Sequence, residues 1–569
     1  HTASANRLYR LDEEKQLRFQ LGYIHDRTTR QYGSEEIYYF AQDTVHTATN
    51  RHDRLKTDCL NAEVNYEDNT VSRYTRENFS FAGTWKSGVS DITGDNAIFQ
   101  KIKNSQWELK NYFNQLYTKE KYTWGIRSYI RYTHCSASLT VAHRNLPILF
   151  ADNMLIANCI YHRNELSSSD NISENTYRTV IGQTHESILA EYEEMNTGNA
   201  YTDNALYGMR KINGVNYQLT GGFCGELSSV KQENAYSAHS YSFYTVPRIE
   251  WERNDFLFTA ATTVRWTHLP KQSYSRFCVS PFFCFRYKFT PRWKMSLLGS
   301  LDESEGGLKD IYPFRYREDY RTVVKHTGKV PVTVRQLYTC YLEYKNTIKE
   351  FFWTLSASYS HNRYNLITER NYKDGNFYLS SVERNHSSHS YILNTIGSKG
   401  IYDWNLKTSL ELTLARNEGK QLNEGIVQDY RYDYLCVEPK IVWAPSVFFE
   451  AEYKATVSCV GGGIGEDTSL DPLWEVAQRL TLSLEFHDTE FRLSGEHFYN
   501  DLSKNQHLNI WLADVSLIHK AGKWRFAASA INLFNKEQYR YTLYSAVQSY
   551  TSWIKLRPRE FMVSVQYQW

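Results

Sequence analysis

The sequence predicts an all-β protein: a transmembrane antiparallel β-barrel of about 22 strands, with short periplasmic turns and long extracellular loops. Three observations predict it. Apolar and polar residues alternate with a period of two along most of the chain, with no sustained 3.6-residue period. Short and long polar connections alternate between those segments. The chain closes on the alternating segment Phe561, Val563, Val565, Tyr567, Trp569, whose other face carries Glu560, Met562, Ser564, Gln566 and Gln568. Such a strand sets an apolar face against lipid, a polar face against a lumen and its last aromatics in an interfacial girdle. These five odd-numbered residues are the expected assembly strand.

The same alternation recurs upstream. Leu17, Phe19, Leu21 and Tyr23 alternate with Gln16, Arg18, Gln20 and Gly22. Between Tyr122 and Tyr132, Trp124, Ile126 and Ile130 share one face while Arg127 and Arg131 fall on the other. Between Trp404 and Leu414, the leucines oppose Lys407 and Glu411. Between Trp474 and Phe486, Leu480, Leu482 and Leu484 face away from Glu475, Arg479 and Glu485. These seven charged residues are expected to face the lumen and chiefly to solvate the wall.

Short connections are expected near 252–255, 290–292, 346–350, 397–402, 444–446, 487–489 and 520–522. Long ones are expected at 300–334, 362–387, 416–429, 461–471 and 535–552. Residues 134–214 fit the rhythm least, with an apolar patch at 146–160 and a polar connector at 196–213. Residues 1–14 are read as a lead-in, the end of a missing plug or linker, and 15–569 as the barrel. The opening His1 and the lack of an apolar signal region suggest a processed product or a piece of a longer chain.

Composition narrows the class. Of the 569 residues 41% are hydrophobic and 22% charged, and the 45 Tyr, 28 Phe and 14 Trp suit strands and membrane interfaces. A net charge of +2 offers no bulk attraction for nucleic acid, which is not an expected partner. No uncharged apolar run approaches the ~18 residues a membrane helix needs, a limit that leaves barrel strands untouched. Nine cysteines are scattered without zinc-site spacing and are read mostly as small wall residues.

No catalytic constellation converges, so neither an enzyme nor a cofactor is expected, and no metal site. Gly461-Gly462-Gly463-Ile464-Gly465 reads as a loop tip, and His386 with His389 as a loop-to-strand edge. The segment Ile311 to Arg321 mixes aromatics with arginine, as a mouth site for sugars, peptides or chelates would. Its candidate substrate contacts are Tyr312, Phe314, Arg315, Tyr316 and Tyr320. Packing of the loop on itself is an equally good reading of them.

Two segments carry a family resemblance. Ala530-Ile531-Asn532-Leu533-Phe534-Asn535, followed by Arg557-Pro558-Arg559-Glu560-Phe561, resembles the close of TonB-dependent outer-membrane transporters. The stretch Leu342 to Phe352 is similar to the barrel of the subgroup common in Bacteroidota. The resemblance implies uptake of a nutrient across the outer membrane of a Gram-negative bacterium, with outer-membrane lipids around the barrel. It also implies a plug domain inside and the TonB complex as partner, and it admits a surface lipoprotein. The family's plug has no counterpart ahead of the first strand here, so the plug is either missing or a separate chain. A plugless pore, or the scaffold barrel of a larger complex, is the alternative.

Overall fold

The computed structural model describes residues 2–39, 44–94, 98–120, 122–143, 177–181, 187–231, 235–317, 322–373, 376–465, 468–503, 506–545 and 548–567. The described strands join one 28-stranded sheet. β1 (Thr2–Arg10) and β2 (Lys15–Tyr39) form the first hairpin, followed by β3 (Thr44–Asn69), β4 (Arg73–Gly94), β5 (Ile98–Lys119) and β6 (Tyr122–His143). The short β7 (Tyr177–Ile181) pairs with β8 (Ser187–Ile212), which returns beside β6. The wall continues through β9 (Val215–Lys231), β10 (Ala235–Arg253), β11 (Phe256–Leu269), β12 (Tyr274–Lys288) and β13 (Trp293–Glu305). β14 (Arg315–Arg317) and β15 (Thr322–Lys325) lie in the long connection to β16 (Val332–Asn346). Then come β17 (Phe351–Lys373), β18 (Asn376–Ile401), β19 (Leu406–Asn423), β20 (Ile426–Ser446), β21 (Phe449–Ile464), β22 (Thr468–Phe486), β23 (Thr489–Ser503) and β24 (Gln506–Ala521). The last hairpin is interrupted on both arms, as β25 (Trp524–Ile531) with β26 (Gln538–Ser545), and β27 (Gln548–Lys555) with β28 (Glu560–Tyr567).

Setting aside the short β1, β7, β14 and β15, and counting each arm of the last hairpin once, leaves 22 wall strands of the 28 described. Pairing is antiparallel throughout except for two short parallel contacts at loop tips, β15 with β18 and β17 with β19. The ring closes where β27 meets the far half of β2, from Tyr32 opposite Ile554 to Tyr38 opposite Gln548. A closed antiparallel wall leaves few backbone donors and acceptors for lipid to strand, which is why such a wall can cross a membrane.

Exposed apolar side chains confirm which face meets lipid. Trp124, Ile126, Ile130 and Tyr132 on β6, Leu410 and Leu414 on β19, Leu480 and Leu484 on β22, and Trp511 and Leu517 on β24 all point out of the wall. On β22, Trp474 and Phe486 bracket this band. Twelve residues at ~3.3 Å each give about 40 Å of strand. Tilted by ~45°, that spans about 28 Å, close to the ~25 Å apolar band of outer-membrane barrels. Aromatics cluster near the turn end, as in Trp293 against Tyr344 at 4.8 Å and Trp524 against Tyr567 at 4.7 Å. Others line the far end, as in Tyr338 over Tyr359 at 6.5 Å and His497 over Trp511 at 4.2 Å. These are the two girdles of an outer-membrane barrel. Among the described residues no helix is long and apolar enough to cross a membrane.

Turn chemistry explains the short side. Asn213 (φ 50°) with Gly214 (φ 83°), Asn254 (φ 54°) and Asn405 (φ 47°) occupy the left-handed region that tight hairpins require. Two expected turns move. The one placed at 397–402 falls at Tyr402–Trp404, and the one placed at 444–446 falls after Ser446. Gly397, Gly400 and Pro445 suggested breaks, yet all three are strand residues near the strand ends, and β18 and β20 run past them.

The long side differs more. The expected loops at 362–387 and 416–429 are largely extensions of β17–β18 and β19–β20 beyond the membrane. Once both faces are wet, a strand no longer alternates in hydropathy, although its backbone ladder persists. Cross-strand pairs such as Lys420 with Asp429 at 2.7 Å line these extensions. The expected polar connector at 196–213 is likewise wall, in β8. Residues 144–176, which include the whole apolar patch, lie outside the described residues. Residues 2–10, read as lead-in, form β1 on the near half of β2, from Thr2 opposite Ile24 to Arg10 opposite Gln16. The eight described cysteines form no disulfide with one another, and Cys159 lies outside the described residues.

Candidate functional site: the extracellular mouth

Alternation along each strand puts the seven charged residues read as lumen-facing opposite the exposed apolar rows. Their partners lie mostly in the wall itself. Arg127 Nη2 donates to Asp203 Oδ2 and to the Tyr244 hydroxyl, each at 3.2 Å, while the Tyr244 hydroxyl donates to Asp203 Oδ1 at 2.7 Å. Arg131 lies over the Tyr201 ring at 5.6 Å and donates to Asn199 Oδ1 at 3.5 Å. Glu411 accepts from Asn394 Nδ2 at 2.8 Å. Arg479 donates to Ser494 Oγ at 3.0 Å and stands 3.4 Å from Glu496. Lys407 and Glu475 share that inner face, and Glu485 sits at the periplasmic end opposite Glu490. Sequence alternation alone does not give their partners, which come from neighbouring strands.

The connection between β13 and β16 folds inward over the mouth. Ile311 is fully buried against Ala238, Leu269 and Val330. Tyr312, 1% exposed, packs with Met195 and Val230 and meets the Tyr236 ring at 5.2 Å and Phe314 at 5.1 Å. Ala238, Val230 and Met195 share strand faces with the inner row of β8–β10, so this core lies inside the barrel rim. Tyr312 and Phe314 therefore anchor the loop. As ligand contacts they would first have to leave that core. Arg315 stands over the Tyr378 ring at 6.0 Å, and the Tyr316 hydroxyl lies 3.2 Å from His326 Nε2. Tyr320 lies outside the described residues. His386 and His389 do not converge: His389 stacks on His361 at 4.6 Å, whereas His386 Nδ1 approaches the Arg384 carbonyl at 3.3 Å.

The opposite rim closes in as well. Tyr38 at the tip of β2 meets Phe377 of β18 at 4.2 Å, and the Phe377 ring lies tilted against Tyr372 at 5.0 Å. The Arg370 guanidinium lies 5.9 Å from the Tyr38 ring. β15 adds a parallel edge to β18 at Thr322–Lys325, tying the mouth loop to these tips. Nothing in local sequence pairs Tyr38 with Phe377, because their contact depends on closure of the ring.

Among solved structures, 134 chains match. The outer membrane transporter YddB from Escherichia coli has a TM-score of 0.47 and 10% identity over 97% of this chain and 75% of its own. The G324V mutant of the ferric enterobactin receptor PfeA from Pseudomonas aeruginosa gives 0.45 and 10% over 97% and 79%. The copper transporter OprC gives 0.42 and 8% over 94% and 83%. Likeness at this level carries no argument about activity, and the fold stands on the ladders and apolar band above. No protein-family model and no curated protein matches the sequence. Among the described residues no group of three or more His, Cys, Asp or Glu is placed to hold a metal ion.

Proposed function

We propose that this chain is the wall and mouth of a TonB-dependent outer-membrane transporter that takes up a nutrient such as a sugar, a peptide or a metal chelate. The observation that carries this reading is the mouth. A 22-strand ring encloses more space than its inward side chains fill. Its outer opening is narrowed by the loop anchored through Ile311 and Tyr312 and by the Tyr38–Phe377 contact. A narrowed mouth suits a capture device, which must hold its ligand at the outer face before passage. In this reading the loop's Arg315, Tyr316 and Tyr320 meet the ligand, and Tyr312 and Phe314 hold the loop. A plug within the lumen and the TonB complex below would supply occlusion and energy, and a surface lipoprotein could assist capture.

A second reading draws on the inner wall. Because Arg127, Arg131, Glu411 and Arg479 find partners within the wall, the barrel could stand without a plug, as a pore or scaffold. One experiment separates the two. The protein is purified from its native outer membrane, its intact mass and co-purifying chains are recorded, and it is reconstituted in a planar bilayer. Transport predicts an attached or co-purifying plug-sized polypeptide and little conductance. A lone chain with steady, large conductance would replace transport by the pore reading.

A further inference from the structure

The tips of β17, β18 and β19 roll together beneath the mouth loop and enclose a cavity of about 340 Å³. Its polar lining includes Tyr316, His326, Arg370, Ser381, Gln421 and Asn423. The parallel contact between β17 and β19 sets Arg370 directly beside Asn423, and the Glu424 N–H donates to the Arg370 carbonyl at 3.0 Å. His326 bridges the cavity wall, with Nδ1 3.1 Å from Ser381 Oγ and Nε2 3.2 Å from the Tyr316 hydroxyl.

Three features make this lining unusual. Asn423 is 3% exposed and Gln421 9%. Asn423 Nδ2, Gln421 Nε2 and Gln421 Oε1 are nevertheless buried without a hydrogen-bond partner. Buried amides in that state are costly unless something answers them. Arg370 lies among them and no carboxylate ion-pairs with it among the described residues, and its guanidinium lies over the face of Tyr38. A cation set in such a place calls for an anion.

We propose that this cavity is a binding site for a small organic carboxylate. Its carboxylate would take the forked N–H groups of Arg370, and the amide donors of Gln421 and Asn423 would complete its hydrogen bonds. The volume suits an acid of a few carbons, or the carboxylate end of a larger ligand whose remainder projects past Tyr316. The site deepens the transport reading by naming the chemistry captured. It rests on that reading only for the ligand's onward passage.

The test is calorimetric titration of the detergent-purified barrel with succinate and with malonate, using inorganic phosphate and succinamide as comparisons. Binding does not need TonB, so a failure of the transport reading would leave this result unaffected. Both dicarboxylates are expected to bind and succinamide is not. Arg370→Gln should weaken binding at least about tenfold, with Arg370→Lys in between, because lysine keeps the charge and loses the fork. Asn423→Leu should weaken it by about three- to tenfold. Heat-modifiable migration checks each variant's fold. If Arg370→Gln does not fold, Asn423→Leu and Arg370→Lys carry the comparison. Absence of heat with either dicarboxylate, equal binding by the variants, or binding of phosphate in place of the carboxylates would overturn the assignment.

Discussion

At the scale of single residues, Asn532 shows why a short motif at the end of the chain matters. It adopts φ 53° at the break between β25 and β26. Its Nδ2 donates to the Lys536 carbonyl at 2.9 Å and the Arg557 carbonyl at 2.8 Å, and its Oδ1 accepts from the Lys536 N–H at 2.9 Å. Asn535, at φ 50°, accepts from the Arg559 N–H at 2.9 Å. The two asparagines thus stitch the interruption on one arm of the last hairpin to the interruption on the other. Asn is one of the few residues that tolerates this backbone and also supplies both donor and acceptor. Asn532→Ala should cost on the order of 2–4 kcal/mol from orphaned backbone groups plus backbone strain. Asn532→Gly should recover only the strain. Urea unfolding of the refolded barrel checks the order, and equal stability of the two variants would assign the whole effect to the lost side-chain hydrogen bonds and none to backbone strain.

At the scale of elements, the closing seam is the sensitive part. Gly33 of β2 lies where a Cβ would collide with the Trp553 indole and Asn50 Oδ1, and the Ser552 hydroxyl donates to the Gly33 carbonyl at 3.1 Å. Gly33→Val should therefore open the β2–β27 ladder and lower the heat-modifiable fraction in the outer membrane, while Gly22→Ala, which meets open space, should not. Below that ladder the seam changes partner. β1 takes the near half of β2, and among the described residues β28 pairs only with β25, with Phe561 and Val563 75% and 81% exposed. Continuing the β27 register would set Val563 beside Tyr23, Val565 beside Leu21 and Tyr567 beside Phe19, apolar against apolar on the lipid face. β1 offers Ala3, Ala5 and Arg7 at those places. Removal of residues 2–10 should accordingly leave assembly intact and allow a disulfide between Gly22→Cys and Ser564→Cys. A cross-link that fails to form in the membrane-inserted protein would rule out that register. Phe561→Ala with Tyr567→Ala should lower the folded fraction, since both aromatics lie exposed on β28 at this edge. Unchanged levels would count against an assembly role for the strand.

At the scale of the whole molecule, the mouth and the lumen are separable. The loop core around Ile311 and Tyr312 and the Tyr38–Phe377 contact narrow the opening from opposite sides. Replacing both anchors, Tyr312→Ala with Phe377→Ala, should raise the bilayer conductance of a barrel that lacks a plug. It should leave a plugged barrel silent, because the tighter constriction then lies deeper. Conductance unchanged in the plugless state would mean that these contacts do not gate the opening.

Much of the barrel was legible in one dimension. Alternation marked both faces of β6, β19 and β22, because a wall between lipid and water imposes a two-residue period on every strand that crosses it. Apolar segments flanked by tight turns set the strand number, and the Asn532 and Arg557 segments were visible as motifs before their bonds were known. Where lipid ends, the signal ends too. Both faces of the β17–β20 extensions are wet, so sequence reads them as loops although their ladders continue. Residues 196–210 run beside the apolar band of β6, but their own lipid-facing row holds Ala200, Thr202 and Gly208 with only Leu206 strongly apolar, so the two-residue period fades there. The tertiary structure alone decided which strands meet at the closing seam, that Tyr312 is an anchor within a core, and that Arg370 shares a cavity with Gln421 and Asn423. Each of these joins residues from dozens to hundreds of positions apart, and only the closing of the ring brings them within reach of one another.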